Sequence, residues 1–217
     1  MYEILWRWVC GEFITSVNGF PELMLLVSEA SPTGPAIGVS LRSFTGAGYD
    51  KGRPKWIQAL WFATQNLVFA KWWLPARFRP VILRLFGAQI GERVFIRHRV
   101  RVLWPWKLSI GDDSWIGEDA WLLNLEQITI GNDVCISQGA VLCTGSHDMR
   151  SPSFEYDNGP ITIADGAWVA AFAMVLRRVV VERDAVVAAG AIALRPVGAN
   201  AVVAGLGRIV GERWVSS

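Results

Sequence analysis

Between Ile90 and Gly198 the apolar positions recur with a step of six. The later part is unbroken: Ile163, Val169, Val175, Val181, Val187 and Ala193. The same phase runs through Ile90, Ile96 and Val102, then Ile110, Ile116 and Leu122, then Ile130, Ile136 and Leu142. Four positions after most of these stands a small or β-branched residue: Val94, Val100, Ser114, Ala120, Val134, Ala140, Ser146, Ala167, Ala173, Val179, Ala185 and Ala191. A helix needs apolar residues three and four apart, and an amphipathic strand ends after a few residues, so neither explains the ladder. A period of six over about a hundred residues predicts an all-β solenoid of hexapeptide repeats, each hexad giving one short strand and a corner. Three hexads close a triangular coil, which predicts about five coils with their aliphatic residues stacked inward.

N-terminal to the ladder the period changes. Trp56, Leu60, Trp61, Leu67, Val68 and Trp72 fall near helical spacing, so residues 55–86 predict two helices separated at Pro75 and Pro80. The stretch 56–74 has the length of a membrane span, but Gln58, Thr64, Gln65, Asn66 and Lys71 interrupt it. Two placements fit. The helices can cap an open end of the solenoid, or lie on an anionic bilayer with Arg77, Arg79 and Arg84 toward the headgroups, a peripheral membrane contact through residues 55–86.

Earlier still, Arg7, Glu12, Asn18, Pro21 and Glu22 break the apolar run from Ile4 to Val27, which reads neither as a spanning helix nor as a secretory signal. Ser31, Pro32, Gly34 and Pro35 read as a linker. The expected organisation is an extension and linker over 1–40, an N-terminal helical cap over 41–89, the solenoid over 90–204 and a tail over 205–217.

The residue before each inward aliphatic should face outward. One predicted face carries Phe95, Trp115, Cys135, Trp168 and Val186, and a second carries Arg101, Trp121, Val141, Met174 and Ile192. Exposed apolar faces mark interfaces, and two of them on a three-sided prism predict a homotrimer. The third predicted face carries Lys107, Gln127, His147, Val180 and Gly198.

Composition sharpens this. The chain is 52% apolar with 12 tryptophans, more than an ordinary core absorbs. A net charge of +2 gives no argument for nucleic acid. Cys10, Cys135 and Cys143 have neither metal nor disulfide spacing, which points to a reducing compartment, the cytoplasm, with any bilayer contact at the inner face of the membrane. Arg93, Arg97, Arg99 and Arg101 cluster as a solvated face or a seat for an anionic partner.

After His147 the ladder breaks, and residues 148–160 form an insertion rich in Ser, Pro, Asp, Asn and Gly. A long loop in so regular a scaffold marks a functional site. Imidazole titrates near pH 6.5 in isolation and can take a proton from a hydroxyl near neutrality, which makes His147 the candidate base. His98, at a corner among arginines, reads as a polar surface or core residue. No serine nucleophile elbow, glycine-rich phosphate loop or telling carboxylate pair is present, whereas direct transfer needs only a base, a donor seat and backbone amides.

The runs Trp115-Ile116-Gly117-Glu118, Ile130-Gly131-Asn132-Asp133-Val134-Cys135-Ile136-Ser137-Gln138-Gly139-Ala140 and Cys143-Thr144-Gly145-Ser146-His147-Asp148 resemble the left-handed β-helix acetyltransferases. The likeness is greatest to the colanic acid branch, the exopolysaccharide O-acetyltransferases called WcaF-like. It spans about residues 41–205, including Leu85-Phe86-Gly87-Ala88-Gln89-Ile90-Gly91 and Trp104-Pro105-Trp106-Lys107-Leu108. The resemblance implies a left-handed parallel β-helix and a homotrimer that moves acetyl from acetyl-CoA to a sugar hydroxyl, without a metal. It implies that His147 is the general base and that Asn124 contacts the acceptor. It also implies that Ala171, Ala189, Leu194 and Arg195 lie along the CoA arm, Leu194 and Arg195 replacing a common Thr and Lys. Two alternatives compete with transfer. A metal hydratase needs about three zinc-binding histidines where this chain has two; a non-catalytic solenoid acting as an assembly scaffold needs none.

Overall fold

The six-residue ladder folds as a three-sided parallel β-solenoid. The computed structural model describes residues 38–214; the extension expected over 1–40 lies, up to residue 37, outside the described residues. Coil one holds β1 (Gln89–Ile90), β2 (Phe95–Ile96) and β3 (Arg101–Val102). Coil two holds β4 (Leu108–Ile110), β5 (Trp115–Ile116) and β6 (Trp121–Leu123). Coil three holds β7 (Ile128–Ile130), β8 (Cys135–Ile136) and β9 (Val141–Cys143). Coil four holds β10 (Ile161–Ile163), β11 (Trp168–Val169) and β12 (Met174–Leu176), and coil five β13 (Val180–Val181), β14 (Val186–Val187) and β15 (Ile192–Ala193). A sixth turn begins with the Val197 bridge to Val181 and β16 (Ala201–Ala204), onto which β17 (Arg208–Glu212) folds back antiparallel. The solenoid is thus longer than the expected five coils by a partial turn.

Every aliphatic residue of the ladder is buried, and so is the row of small residues four positions on, apart from Ser146. Ser146 departs because the chain has left the coil there: its N–H donates to Asn158 Oδ1 at 3.2 Å. Each buried Ile, Leu or Val contributes about 1.5–3 kcal/mol, and the coils share that core because Ile90, Ile110, Ile130, Ile163 and Val181 stand in register. The corners turn through left-handed backbone at Arg93, Arg99, Asp113, Asp119, Asp133, Arg178 and Asp184, a region that Asp tolerates better than most residues. At the corner that Arg93, Asp113 and Asp133 turn, stacked side-chain oxygens cap the coil below: Asp112 Oδ1 accepts from Glu92 N–H at 2.7 Å, Asn132 Oδ1 from Asp112 N–H at 2.8 Å and Asp165 Oδ1 from Asn132 N–H at 2.8 Å.

Two outward rows match expectation. Phe95, Trp115, Cys135, Trp168 and Val186 pair in line, as do Arg101, Trp121, Val141, Met174 and Ile192. The third row is different: it is Gln89, Ser109, Thr129, Thr162 and Val180. Leu108 and Ile110 both point inward, so the outward residue of that strand is the one between them. Lys107, Gln127 and His147 therefore sit at corners, and Gly198 follows the last bridge.

The first coil leaves backbone groups without a neighbouring coil, and the helices supply partners. Helix α1 (Lys55–Thr64) continues as a π turn over Gln65–Phe69; α2 runs Phe78–Leu85. Trp61 Nε1 donates to Val102 O at 3.0 Å, and Val102 N–H donates to Gln65 Oε1 at 2.7 Å. Arg84 Nε donates to Ile90 O at 2.9 Å. The break between helices spans residues 70–77 around Pro75, whereas Pro80 lies in the first turn of α2 instead of separating them. Its missing N–H is harmless there, because first-turn donors have no helical partner. Arg79 also departs from expectation. It is buried, donates to Phe69 O at 3.0 Å and to Lys71 O at 2.7 Å, and is unavailable to headgroups. Among the described residues no helix is long and apolar enough to cross a membrane.

Candidate active site

At the corner that follows β9 the chain makes its one long excursion, residues 144–160, and His147 stands near its start. The excursion is a built hairpin: Asp157 N–H donates to Ser146 O at 2.8 Å, Gly159 N–H to Thr144 O at 3.0 Å and Asp148 N–H to Glu155 O at 2.8 Å. His147 bridges antiparallel to Tyr156. Its ring stacks on Phe154, centroids 4.3 Å apart with planes at 8°, and on Tyr156 at 5.1 Å; Phe44 meets it edge-on at 5.7 Å.

His147 Nδ1 lies 2.7 Å from Phe154 O. A carbonyl oxygen only accepts, so Nδ1 carries the hydrogen and the neutral ring keeps its lone pair on Nε2. Phe154 is held at φ 54, in the left-handed region that non-glycine residues avoid. Such strain persists where surrounding contacts over-determine it, and here it sets the carbonyl that orients the imidazole.

The hairpin is tied at both ends. Asp157 accepts from Arg177 Nε at 3.0 Å and from Arg178 Nη2 at 2.6 Å, which fastens it to coil four. The hydrogen bonds from Arg178 and Arg177 hold the Asp157 carboxyl below its ordinary range. On its outer side, Glu155 Oε1 accepts from both Thr45 N–H and Thr45 Oγ1 at 3.0 Å, and Ser40 N–H donates to Pro152 O at 2.8 Å. This anchors a strap, residues 39–53, across the corner. Tyr49 of the strap packs edge-on to Tyr156 at 5.1 Å and accepts from Trp104 Nε1; burial pushes its hydroxyl up to about 12. Lys107 Nζ donates to Leu125 O at 2.6 Å and lies 5.2 Å from the Tyr49 ring.

The other predicted residues separate into two groups. Asn124 is 0% exposed: its Oδ1 accepts from Trp104 N–H at 3.0 Å, and its Nδ2 donates to Trp104 O at 2.6 Å and Lys107 O at 2.9 Å. It holds the turn at 104–107 and offers no free polar atom to an acceptor. Ala171 and Ala189 stack at the corner preceding the third strands of coils four and five, where Gly190 N–H donates to Ala171 O at 2.9 Å. Leu194 and Arg195 are exposed at the opposite corner, the one from which the His147 excursion departs two coils earlier. The four flank one face. Gly190 leaves open space where a Cβ would stand. Phe172 beside Ala171 is 72% exposed over Gly139. Small residues, an open edge, an apolar side chain and a cation suit an elongated thiol ester with an anionic end.

The residues missed from sequence are Phe44, Tyr49, Phe154, Tyr156, Arg177 and Asp157. The aromatic residues inside an otherwise polar insertion were the available signal. His98 lies at the coil-one corner with Nε2 3.3 Å from Glu118. Among the described residues no three His, Cys, Asp or Glu side chains are grouped to hold a metal ion.

No protein-family model matches the chain. The protein of Escherichia coli (strain K12) named "Putative colanic acid biosynthesis acetyltransferase WcaF" is 42% identical over 149 residues, 67% of this chain and 81% of that protein. The galactoside O-acetyltransferase of the same organism is 24% identical over 132 residues, covering 59% and 64% of the two chains. Among solved structures, a hexapeptide-repeat acetyltransferase of Vibrio cholerae in complex with acetyl coenzyme A superposes with a TM-score of 0.70 at 20% identity, over 82% of this chain and all of that one. The fold is the same, and the identity and coverage with the first relative decide the family: the chain belongs to the WcaF-like colanic acid acetyltransferases, of the left-handed β-helix, hexapeptide-repeat kind.

Proposed function

We propose that the protein transfers an acetyl group from acetyl-CoA to a sugar hydroxyl in the biosynthesis of an exopolysaccharide or other cell-surface polysaccharide, with His147 as general base. The observation that carries the reading is the imidazole fixed at Nδ1 by Phe154 O, 2.7 Å away, which leaves Nε2 as the basic atom. Acetyl-CoA supplies the acetyl group already activated as a thioester. His147 Nε2 takes the proton of the acceptor hydroxyl as the new ester bond forms. The imidazolium is held by its Nδ1–H bond to Phe154 O, and it returns the proton to the thiolate that leaves. The stacked rings of Phe154 and Tyr156 keep the imidazole in one orientation, and Tyr49 and Tyr156 give the corner an aromatic wall suited to a sugar ring. Ala171, Ala189, Leu194 and Arg195 would hold the donor, Arg195 meeting a phosphate. The sugar relation is supported by the galactoside and colanic acid relatives named above.

The protein works as a homotrimer on this reading, with its apolar faces paired between copies. Asn124 is left out of acceptor binding and kept as the residue that shapes the turn at 104–107.

Calorimetric titration with acetyl-CoA comes first, followed by release of free thiol across a panel of sugars. Saturable binding near one site per chain and turnover that His147→Ala lowers about a hundredfold or more are expected. Near wild-type turnover in His147→Ala would remove the base assignment. Absence of donor binding in a folded protein would return the solenoid to a scaffold role.

A further inference from the structure

The cap helices are apolar on both faces: Trp61, Phe69 and Leu83 are buried in the core, and a second apolar row is exposed. On α1 and its π continuation Gln65 is spent inward, its Oε1 accepting from Val102 N–H at 2.7 Å, while Gln58 Nε2 donates to Arg53 O at 2.6 Å and the exposed Asn66 donates from Nδ2 to Phe62 O at 2.7 Å. The outward stripe is apolar as well. Trp56, Leu60 and Leu67 are 68%, 52% and 68% exposed at helical spacing. Helix α2 repeats the arrangement with Phe78, Val81 and Leu85, and Trp72 and Trp73 stand exposed in the break between the helices. The stripes meet, because Trp56, Leu60 and Leu85 line one groove of about 450 Å³ together with Arg53 and Arg84.

Charge follows the same surface. From Lys51 to Gly91 the chain carries Lys51, Arg53, Lys55, Lys71, Arg77, Arg79 and Arg84 and no acidic residue, although the whole chain is only +2. Arg79 is committed to backbone carbonyls inside, and the other six are exposed. A cap with the solenoid as its only partner would bury one apolar stripe and present polar residues on the opposite face. A second, outward row of Trp and Leu with cations interleaved is the composition that lies in a bilayer interface and is drawn to anionic headgroups. No helix of the described residues can span, so the contact is a surface one.

We propose that the outward face of α1, the 70–77 break and α2 docks this protein on an anionic lipid bilayer. The inference stands apart from the transfer chemistry, since none of these residues belongs to the His147 corner.

The test is flotation of the full-length protein with vesicles of phosphatidylcholine alone or with about a third phosphatidylglycerol. Binding to the anionic vesicles with a blue shift of tryptophan emission, reversed in about 0.5 M salt, is expected. Leu60→Glu with Leu67→Glu should weaken that binding about tenfold or more, and Lys55→Glu with Lys71→Glu should weaken it on anionic vesicles selectively. Circular dichroism melts unchanged from wild type establish that these exposed substitutions leave the fold intact. The proposal is overturned if wild type fails to float, or if the Leu60→Glu, Leu67→Glu protein floats undiminished, which would place the contact elsewhere in the chain. It is also overturned if the substitutions dissolve a larger assembly of wild type in the absence of lipid, which would assign the face to a second copy.

Discussion

At the residue scale, what a side chain does here is set by whether its polar atoms are already spent. Asn124 has three hydrogen bonds within the fold, all to the 104–107 turn. Asn124→Ala is expected to lower the unfolding free energy by about 1–3 kcal/mol, because it orphans buried backbone groups, and to leave the ratio of acceptor KM values across sugars unchanged; a selective rise in one acceptor's KM would restore a contact role. Asp157 gives a pH prediction. Arg178 and Arg177 depress its folded pKa below the unfolded value near 3.9. A depressed carboxyl contributes stability above the unfolded pKa and loses it as pH falls through the folded one. Hydrogen exchange in residues 148–158 should therefore accelerate below about pH 4 before the coils exchange, and Asp157→Asn should exchange fast at every pH.

At the element scale, each strand is two or three residues long and means nothing alone; the coil above and below defines it. Gly117 lies where a Cβ would come within 2.4 Å of Gln138 N in the next coil. Since the obstacle is backbone, Gly117→Ala is expected to cost about 1–3 kcal/mol in a urea melt, against a few tenths at Gly211, where a Cβ meets open space. The cap is an element of the same logic. Its Gln65, Trp61 and Arg84 replace the backbone partners of a missing coil, while the row Trp56, Leu60 and Leu67 is left outward.

At the scale of the whole molecule, the row Phe95, Trp115, Cys135 and Trp168 crosses four coils and carries an exposed aromatic side chain on three of them, Trp115 at 61%. The facing row is quieter, with Arg101 laid over Trp121 at 4.2 Å. If the proposed homotrimer pairs this face, wild type sediments as a trimer and Trp115→Glu as a single chain, with the circular dichroism spectrum unchanged. A trimer that survives the substitution would exclude this face from the interface.

The sequence by itself determined the solenoid, because a six-residue period is local and every inward position repeats it: Ile116, Ile136 and Val169 needed no knowledge of their neighbours. It also marked the His147 insertion, since a break in a regular ladder is visible without coordinates. Tertiary structure decided what the ladder does not encode. The third outward row moved from Lys107 and Gln127 to Ser109 and Thr129, because β4 and β7 turn two residues inward where a single inward position was assumed. The tautomer of His147 depends on a carbonyl seven residues away, Asn124 faces a turn from the previous coil, and Phe44 reaches the imidazole across more than a hundred residues of chain. None of those contacts repeats with the six-residue period, and periodicity reports only on what recurs along the chain.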